Sequence, residues 1–452
     1  MSLLALVAMV AAAPPLFVEK PCSDPAIAAV ARCGTVEVPE NRARPMGRRI
    51  ALNLVILKPA SGKADLPPVF DIDGGPGLAV TKNAGFYATD GIAYRARREI
   101  VMIDQRGTGG SNRLSCPELE APEGAYRPMM PVDAVKRCRD SLRSKADLRH
   151  YLTADAVADL EAVRIALGYG KIDLAGLSYG TTVALRYMAT YPDQVRAALL
   201  MGVSPPTAMP PALHAPAAEG AFGLLAAQCK AEAACGKAFD PVRDFDAAKA
   251  GLKAKGELPP EVFAEKIRSM MYQPATARKI PWILSRAAAG DLTPFTEATK
   301  PSGPSPFADG MFLSVTCSEA LALMDYDSAA RAARRTRFGD YRLVRQRAAC
   351  AAWPVGDAGK FLGPIKTSAA VLMVSGQLDP VTPPAWADIL VQSLPRARHL
   401  VIPASGHVFD GLSGIDTCLD PLLVKFLETG DPTAVDPACL ATMQPPAFAT
   451  AR

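Results

Sequence analysis

The sequence predicts an α/β protein: a mostly parallel sheet flanked by helices, with a helical cap inserted between two sheet strands. Three observations carry this reading. Apolar strand-like runs alternate with helix-like ones before residue 205 and again after 365, as in a parallel sheet covered on both faces. From about residue 205 to 365 the strand-like runs vanish, and Ala-, Lys- and Arg-rich helical stretches alternate with Pro/Gly breaks. Glycine-rich turns follow the strands, at the sheet edge where such folds bind ligands.

The elements read in order as follows. "CGTVEVPENRARPMGRRIALNLVILKP" gives two strands around a polar Pro/Gly turn. "LPPVFDIDGGPG" is a short apolar strand entering a glycine-proline loop, and "REIVMIDQRGTGGS" repeats that shape. "TADAVADLEAVRIALGYG" is a helix, with Thr153 expected as N-cap and Gly168 as stop. The strand "KIDLAGLSYG" leads into the helix "TTVALRYMATYP", and "VRAALLMGVSPP" is the next strand. After the helical block come the strand "AAVLMVSGQLDPVTP", the helix "PAWADILVQSL", the strand "ARHLVIPASGH" and the helix "CLDPLLVKFLETG". The expected division is a leader over 1–13, core over 14–204, cap over 205–365 and core again over 366–452. No internal repeat or low-complexity segment interrupts it.

At 452 residues the chain suits a core domain with a sizeable insertion. Its 49% hydrophobic and 21% charged content is that of a globular protein. The net charge of +5 is mild and spread without long runs, which argues against nucleic acid as a partner. "MSLLALVAMVAAAPPLF" opens with an apolar run too short to span a bilayer but suited to a secretory signal, although no basic residue precedes it and Pro14 follows the best Ala-x-Ala site. Export is the expectation, with no membrane span in the mature chain. Ten cysteines fit that compartment: Cys22, Cys33, Cys116, Cys138, Cys229, Cys235, Cys317, Cys350, Cys418 and Cys439. They form no Cys-x-x-Cys, and four histidines form no His-x-x-x-His, so no metal site is expected. They fall into five sequence-local couples, and pairing between neighbours is expected.

Chemistry concentrates at "LAGLSYGTT", residues 174–182. Gly-x-Ser-x-Gly arises by chance roughly 0.1 to 0.2 times in a chain of this length, so context must confirm it. Ser178 has that context, between a strand and a helix, and the flanking Gly176 and Gly180 leave space for a tight, strained elbow. Asp379 lies just past one later strand and His407 just past the next. The order Ser…Asp…His is that of the α/β-hydrolases. A serine hydroxyl needs an imidazole to take its proton, and the imidazole needs a carboxylate to fix its tautomer. Negative charge developing on an attacked carbonyl needs backbone N–H donors: one from Tyr179, after the nucleophile, and one from the "DGGPG" loop. His150, His214 and His399 are alternative bases, but none follows a strand into a small-residue turn. This chemistry requires no cofactor.

Further motifs carry a resemblance. "GGPG" at 74–77, "DQRGTGGS" at 104–111, "GLSYG" at 176–180, "GQLDPVTP" at 376–383 and "SGH" at 405–407 are similar to those of the proline iminopeptidase and tripeptidyl aminopeptidase family of α/β-hydrolase serine exopeptidases. The likeness spans most of the chain. It is nearest the exported, tripeptidyl-aminopeptidase-like branch, through the N-terminal cysteine before a "VPEN"-type strand, the Cys-x-x-Trp-Pro at Cys350–Pro354 and the C-terminal cysteine pair. The resemblance implies an oxyanion hole from the N–H groups of Gly75 and Tyr179. It also implies that Asp104 and Arg106 organise the active-site loop without reacting; as residues alone they read as an ion pair holding a turn. Proline iminopeptidases usually carry His before "GGPG", where this chain has Asp73, which places strict N-terminal proline specificity in doubt.

An aminopeptidase must hold its substrate's ammonium, and the family draws the carboxylates from its cap. Glu219, Glu232 and Glu319 are candidates; Glu319 is preferred because it opens a helix beside Cys317. The expected function is a serine aminopeptidase releasing N-terminal residues, proline or short peptides, through an acyl-enzyme. A serine esterase or amidase on small molecules would use the same triad, and a non-catalytic binding module would show it broken. The expected partner is a peptide or small-molecule substrate; oligomeric state is not legible.

Overall fold

The computed structural model describes residues 15–256, 258–359 and 365–450; the expected leader over 1–13 lies outside them. Nine strands form one sheet: β1 (Phe17–Lys20), β2 (Ala31–Pro39), β3 (Arg49–Leu57), β4 (Val69–Ile72), β5 (Ile100–Ile103), β6 (Ile172–Leu177), β7 (Val195–Met201), β8 (Ala370–Gly376) and β9 (Ala397–Ile402). Their order is β1-β2-β3-β5-β4-β6-β7-β8-β9. The first three pairs in this order are antiparallel and all later ones parallel. The two strands expected around the polar turn are β2 and β3, in register from Ala31↔Leu57 to Pro39↔Arg49. The edge strand β1 has four residues and was not among the expected elements.

The parallel strands read as unbroken apolar runs because both faces of the sheet are covered. All seven residues of β8 are buried. Alternate residues feed opposite cores: Leu200 packs with Leu174 and Met373 on one face, Leu199 with Leu372 and Val374 on the other. Helices α1 (Thr153–Ala166) and α2 (Tyr179–Thr190) cover the first face through Val157, Leu160, Val183 and Tyr187.

Between β7 and β8 the chain leaves the sheet for a series of helices. The main ones are α3 (Pro210–Ala231), α4 (Pro241–Lys255), α5 (Pro260–Met270), α6 (Asp309–Val315) and α7 (Tyr341–Cys350). It then returns through α8 (Pro384–Val391) and α9 (Asp420–Thr429), which places Leu422, Leu423 and Phe426 on the second face.

The inserted block has two allegiances. Helices α3 to α5 enclose an aromatic core of Phe222, Phe245, Phe263, Phe295 and Phe338. Helix α6 instead contributes Met311, Leu313 and Val315 to the sheet's first core, joined there by Cys317, Ala349 and Trp353.

Each of the five cysteine couples is bridged: Cys22–Cys33, Cys116–Cys138, Cys229–Cys235, Cys317–Cys350 and Cys418–Cys439. Two local expectations are corrected. Thr153 is the first helical residue of α1 and not its N-cap, because Leu152 takes the extended cap conformation. The Thr153 N–H donates instead to Glu319 Oε1 at 2.7 Å, so a carboxylate from the inserted block caps α1. Glu319 does not open a helix. It sits in a π-helical turn, Thr316–Ala320, that continues α6.

Candidate active site

Strand β6 ends at Leu177 and α2 begins at Tyr179, leaving Ser178 alone in the turn at φ 57°, ψ −124°. That is a costly conformation for a residue with a Cβ, of the kind that gathers at functional sites. Neighbouring backbone enforces it. The Ser178 N–H donates to Met201 O at 2.9 Å. A Cβ on Gly176 would lie 2.9 Å from Gly180 O, and one on Gly180 would run into Ile72 O. Both glycines are thus required by close backbone approach. The half-buried serine hydroxyl faces a cavity of about 770 Å³ beyond the C-terminal end of β6.

Asp379 follows β8 and His407 follows β9, and both are buried. The His407 Nδ1–H donates to Asp379 Oδ2 at 2.7 Å. The carboxylate is held by three more donors: the Val381 and Thr382 N–H groups on Oδ1 at 2.8 and 2.9 Å, and the Thr382 hydroxyl on Oδ2 at 2.7 Å. With Nδ1 protonated, Nε2 is left to accept a proton. His407 lines the same cavity as Ser178. Gly202, just past β7 at φ +58°, makes room for the imidazole, since a Cβ there would lie 2.9 Å from Cε1. The cap supports the other side. Tyr272 packs edge-on against the His407 ring, with centroids 5.1 Å apart, and its carbonyl accepts from the Val408 N–H at 2.9 Å.

Gly75 lines the cavity beside Ser178 in the loop after β4, and Tyr179 supplies the first N–H of α2. Among the described residues neither N–H donates to a protein acceptor; for Tyr179 this is usual at a helix N-terminus. Gly74 must lack a side chain: a Cβ there would lie 2.8 Å from that of Ser178.

Comparison with known proteins matches residues 67–223 to the alpha/beta hydrolase fold family and residues 335–439 to the TAP-like protein family. The chain has the α/β-hydrolase fold and carries a TAP-like region. The serine protease Hip1 of Mycobacterium tuberculosis is 32% identical over 232 residues, 47% of this chain and 44% of that protein. The matched stretch is thus under half the length of that relative. The tripeptidyl aminopeptidase of Streptomyces coelicolor is 26% identical over 90% of this chain and 83% of its own. The proline iminopeptidase of Neisseria gonorrhoeae is 33% identical over 32% of this chain and 34% of its own. Among solved structures, the proline iminopeptidase of Mycobacterium smegmatis superposes with a TM-score of 0.43 at 17% identity, covering 88% of this chain and 99% of that one.

Within this α/β-hydrolase fold, Asp104 and Arg106 do not pair with each other, contrary to the turn-holding ion pair expected from the residues alone. Asp104 accepts from Thr81 N–H and Oγ1, Asn53 Nδ2 and the Gly110 N–H at 2.9–3.1 Å. Arg106 makes a buried two-point pair with Asp159 at 2.6 and 2.7 Å and reaches the Glu40 and His150 carbonyls. Neither lines the cavity; each ties its loop to a different part of the core.

Glu319 does line the cavity, but each of its oxygens accepts from Thr153, and burial pushes its carboxyl up from the usual carboxylate range. The Thr153 hydroxyl also bonds the Tyr179 hydroxyl at 2.8 Å, so Glu319 is tied to the residue after the serine. Glu219 pairs with Arg337, and Glu232 stands beside Arg278.

Asp309, the first residue of α6, was missed by the sequence reading. It lines the cavity, and among the described residues its carboxylate has no cation within 4 Å. Burial and the nearby Glu120 carboxylate push it up to about 7. Of the alternative bases, His150 stands near Asp147 and His399 bridges Asp388 and Ser375, both away from the cavity. His214 lines the cavity from α3.

Proposed function

We infer that this chain is a serine hydrolase whose principal activity is removal of N-terminal residues from peptides, with Ser178 as nucleophile, His407 as base and Asp379 as its orienter. The observation that carries this reading is the strained Ser178 turn opening on the cavity that His407, bonded to Asp379 at 2.7 Å, also lines. In acylation the Ser178 oxygen adds to the scissile carbonyl as His407 Nε2 takes its proton, and Asp379 stabilises the imidazolium. The Gly75 and Tyr179 N–H groups receive the negative charge that forms on the carbonyl oxygen. His407 then gives its proton to the departing amine, and water, activated by the same imidazole, releases the acyl fragment.

The peptide reading over a general esterase draws on the carboxylates around this cavity. Asp309, Asp73 and Glu319 line it. We assign Asp309 the main share of the substrate's ammonium, because both Glu319 oxygens are already bonded by Thr153. The esterase alternative draws on the apolar lining from Met129, Met130, Phe307 and Phe312. Five disulfides support an oxidising compartment, and no described helix is long and apolar enough to cross a membrane; export is the reading they favour.

Initial rates on chromogenic substrates test the assignment. The panel holds Pro-, Ala- and tripeptidyl-p-nitroanilides, their N-acetylated forms and p-nitrophenyl esters. Cleavage of free-amine anilides, lost on acetylation and reduced at least about 10⁴-fold in Ser178→Ala, is the expected result. Turnover of esters alone, indifferent to the amine, would transfer the assignment to an esterase.

A further inference from the structure

The cap side of the cavity carries a second polar cluster, outside the machinery described above. Arg268 and Lys266 project from α5, Arg342 and Gln346 from α7 and His214 from α3, and all line the cavity. Three cations gather here, and among the described residues Glu265 is the one carboxylate within ion-pair reach of either guanidinium, at 3.1 Å from Arg268 and 2.9 Å from Arg342. The cluster is therefore net positive. It is also built and not solvated: Arg268 is 2% exposed and Gln346 1%.

Several of its polar atoms are orphaned. Among the described residues, the Gln346 amide has no hydrogen-bond partner at either Nε2 or Oε1, and His214 has none at Nδ1, although all three atoms are shielded from solvent. Unpaired buried groups of this kind cost free energy and call for an explanation. A primary amide that offers one donor and one acceptor side by side is matched by a peptide unit, which presents the complementary pair. Arg342 stands one turn before Gln346 on the same helix face.

Position relative to the chemistry gives this cluster its role. Arg268 Nη1 donates to the Tyr272 hydroxyl at 3.1 Å, and the Tyr272 ring packs on His407. Burial first, and then the nearby Arg342, Arg268 and His407, push the His214 imidazole well below its usual range. The cluster thus flanks the base. The base is the group that protonates the departing amine, so the part of the substrate nearest to it is the fragment that leaves.

We propose that Arg342, Arg268, Gln346 and His214 form a subsite for the departing fragment, reading a peptide unit through Gln346 and a carboxylate through the guanidinium pair. Resting on the peptidase reading above, this defines the substrate class as short peptides whose leaving portion carries a carboxylate close to the scissile bond, the free C-terminus first and an acidic side chain second. A cavity of about 770 Å³ is of the size that encloses one small ligand, which agrees with a peptide of a few residues.

The test compares short alanine peptides as free acids and as C-terminal amides, with product release followed by mass spectrometry in wild type, Arg342→Met and Arg342→Lys. The measured quantity is the acid-to-amide ratio of kcat/KM, which is independent of how much of a variant is folded. Wild type is expected to favour the acid by about tenfold or more. The ratio should fall to near one in Arg342→Met and recover in part in Arg342→Lys, which keeps the charge but not the fork. A third set, amides carrying Asp in the leaving portion, separates the two carboxylate sources: recovered turnover assigns the site to a side chain as well. Equal cleavage of acids, amides and Asp-containing amides by the wild type would overturn the subsite while leaving the peptidase intact. Failure to cleave any peptide, with esters still hydrolysed in a Ser178-dependent way, would overturn both.

Discussion

Ser178 holds a positive φ in a turn whose flanking glycines are packed tightly against backbone, and this makes the elbow testable one atom at a time. Gly180→Ala would drive a methyl group into the Ile72 carbonyl, so β4 or α2 must shift. We expect a loss of about 1–3 kcal/mol in stability, visible as a lowered Tm, together with reduced kcat from a displaced serine. Asp309 offers a pH test. With its carboxyl raised to about 7, it ionises as pH rises through that value. Ammonium binding should therefore strengthen between about pH 6 and 8, and KM for free-amine anilides should fall over that window. Asp309→Asn should flatten this dependence and leave N-acetylated or ester substrates unaffected. The same shift acts on folding with a definite sign: the protonated form is favoured in the native state, so its contribution is complete below about pH 4 and lost as pH climbs through 7.

At the scale of elements, the block between β7 and β8 is tied down at particular places. The Cys317–Cys350 bridge joins the π turn that carries Glu319 to the end of α7, across 33 residues. Closing a loop of that length is worth about 3–4 kcal/mol in the chain-entropy account. The double variant Cys317→Ser with Cys350→Ser should lower the unfolding free energy by about that amount in denaturant titrations. Replacing Glu319 by Gln should uncouple α6 from α1 and the Tyr179 hydroxyl, and a fall in kcat larger than any rise in KM would mark it as a positioning residue. A rise in KM confined to free-amine substrates would return it to the ammonium site. Tyr272→Ala removes the ring that steadies His407; kcat is expected to drop about tenfold with the pH profile of the remaining activity retained.

Across the whole molecule, legibility in the sequence followed how local the determining physics was. The parallel strands were readable because a sheet covered on both faces writes itself as unbroken apolar runs, as β8 does. The order of the proposed triad was readable because Ser178, Asp379 and His407 each follow such a run. Neighbour pairing of cysteines was readable because each bridge closes a short loop.

What escaped was set by packing between distant segments. The "SVTCSEALALM" stretch gives no sign that its backbone widens into a π turn, and Thr153 looked like a cap until a carboxylate 166 residues away took over that task. Asp309 before an apolar run reads as an ordinary helix start, and only the fold turns it toward the cavity. The Asp104–Arg106 pairing failed for the same reason: each found better-shielded partners in other elements. The cluster around Gln346 left no motif, because its members come from three helices separated in the chain.

The contact between the main chain of Met271 and Tyr272 and Gly406 has a bearing on how this protein fails. Gly406 is pressed against those carbonyls so closely that no side chain fits there. The roof over the cavity and the footing of the His407 imidazole are thus one piece of masonry. A copy whose roof is nicked or melts is expected to lose the alignment of His407 with it, which limited proteolysis followed by an activity assay would check. A hydrolase built this way is expected to lose its activity with its roof, and not to become an unguarded nucleophile among the proteins around it.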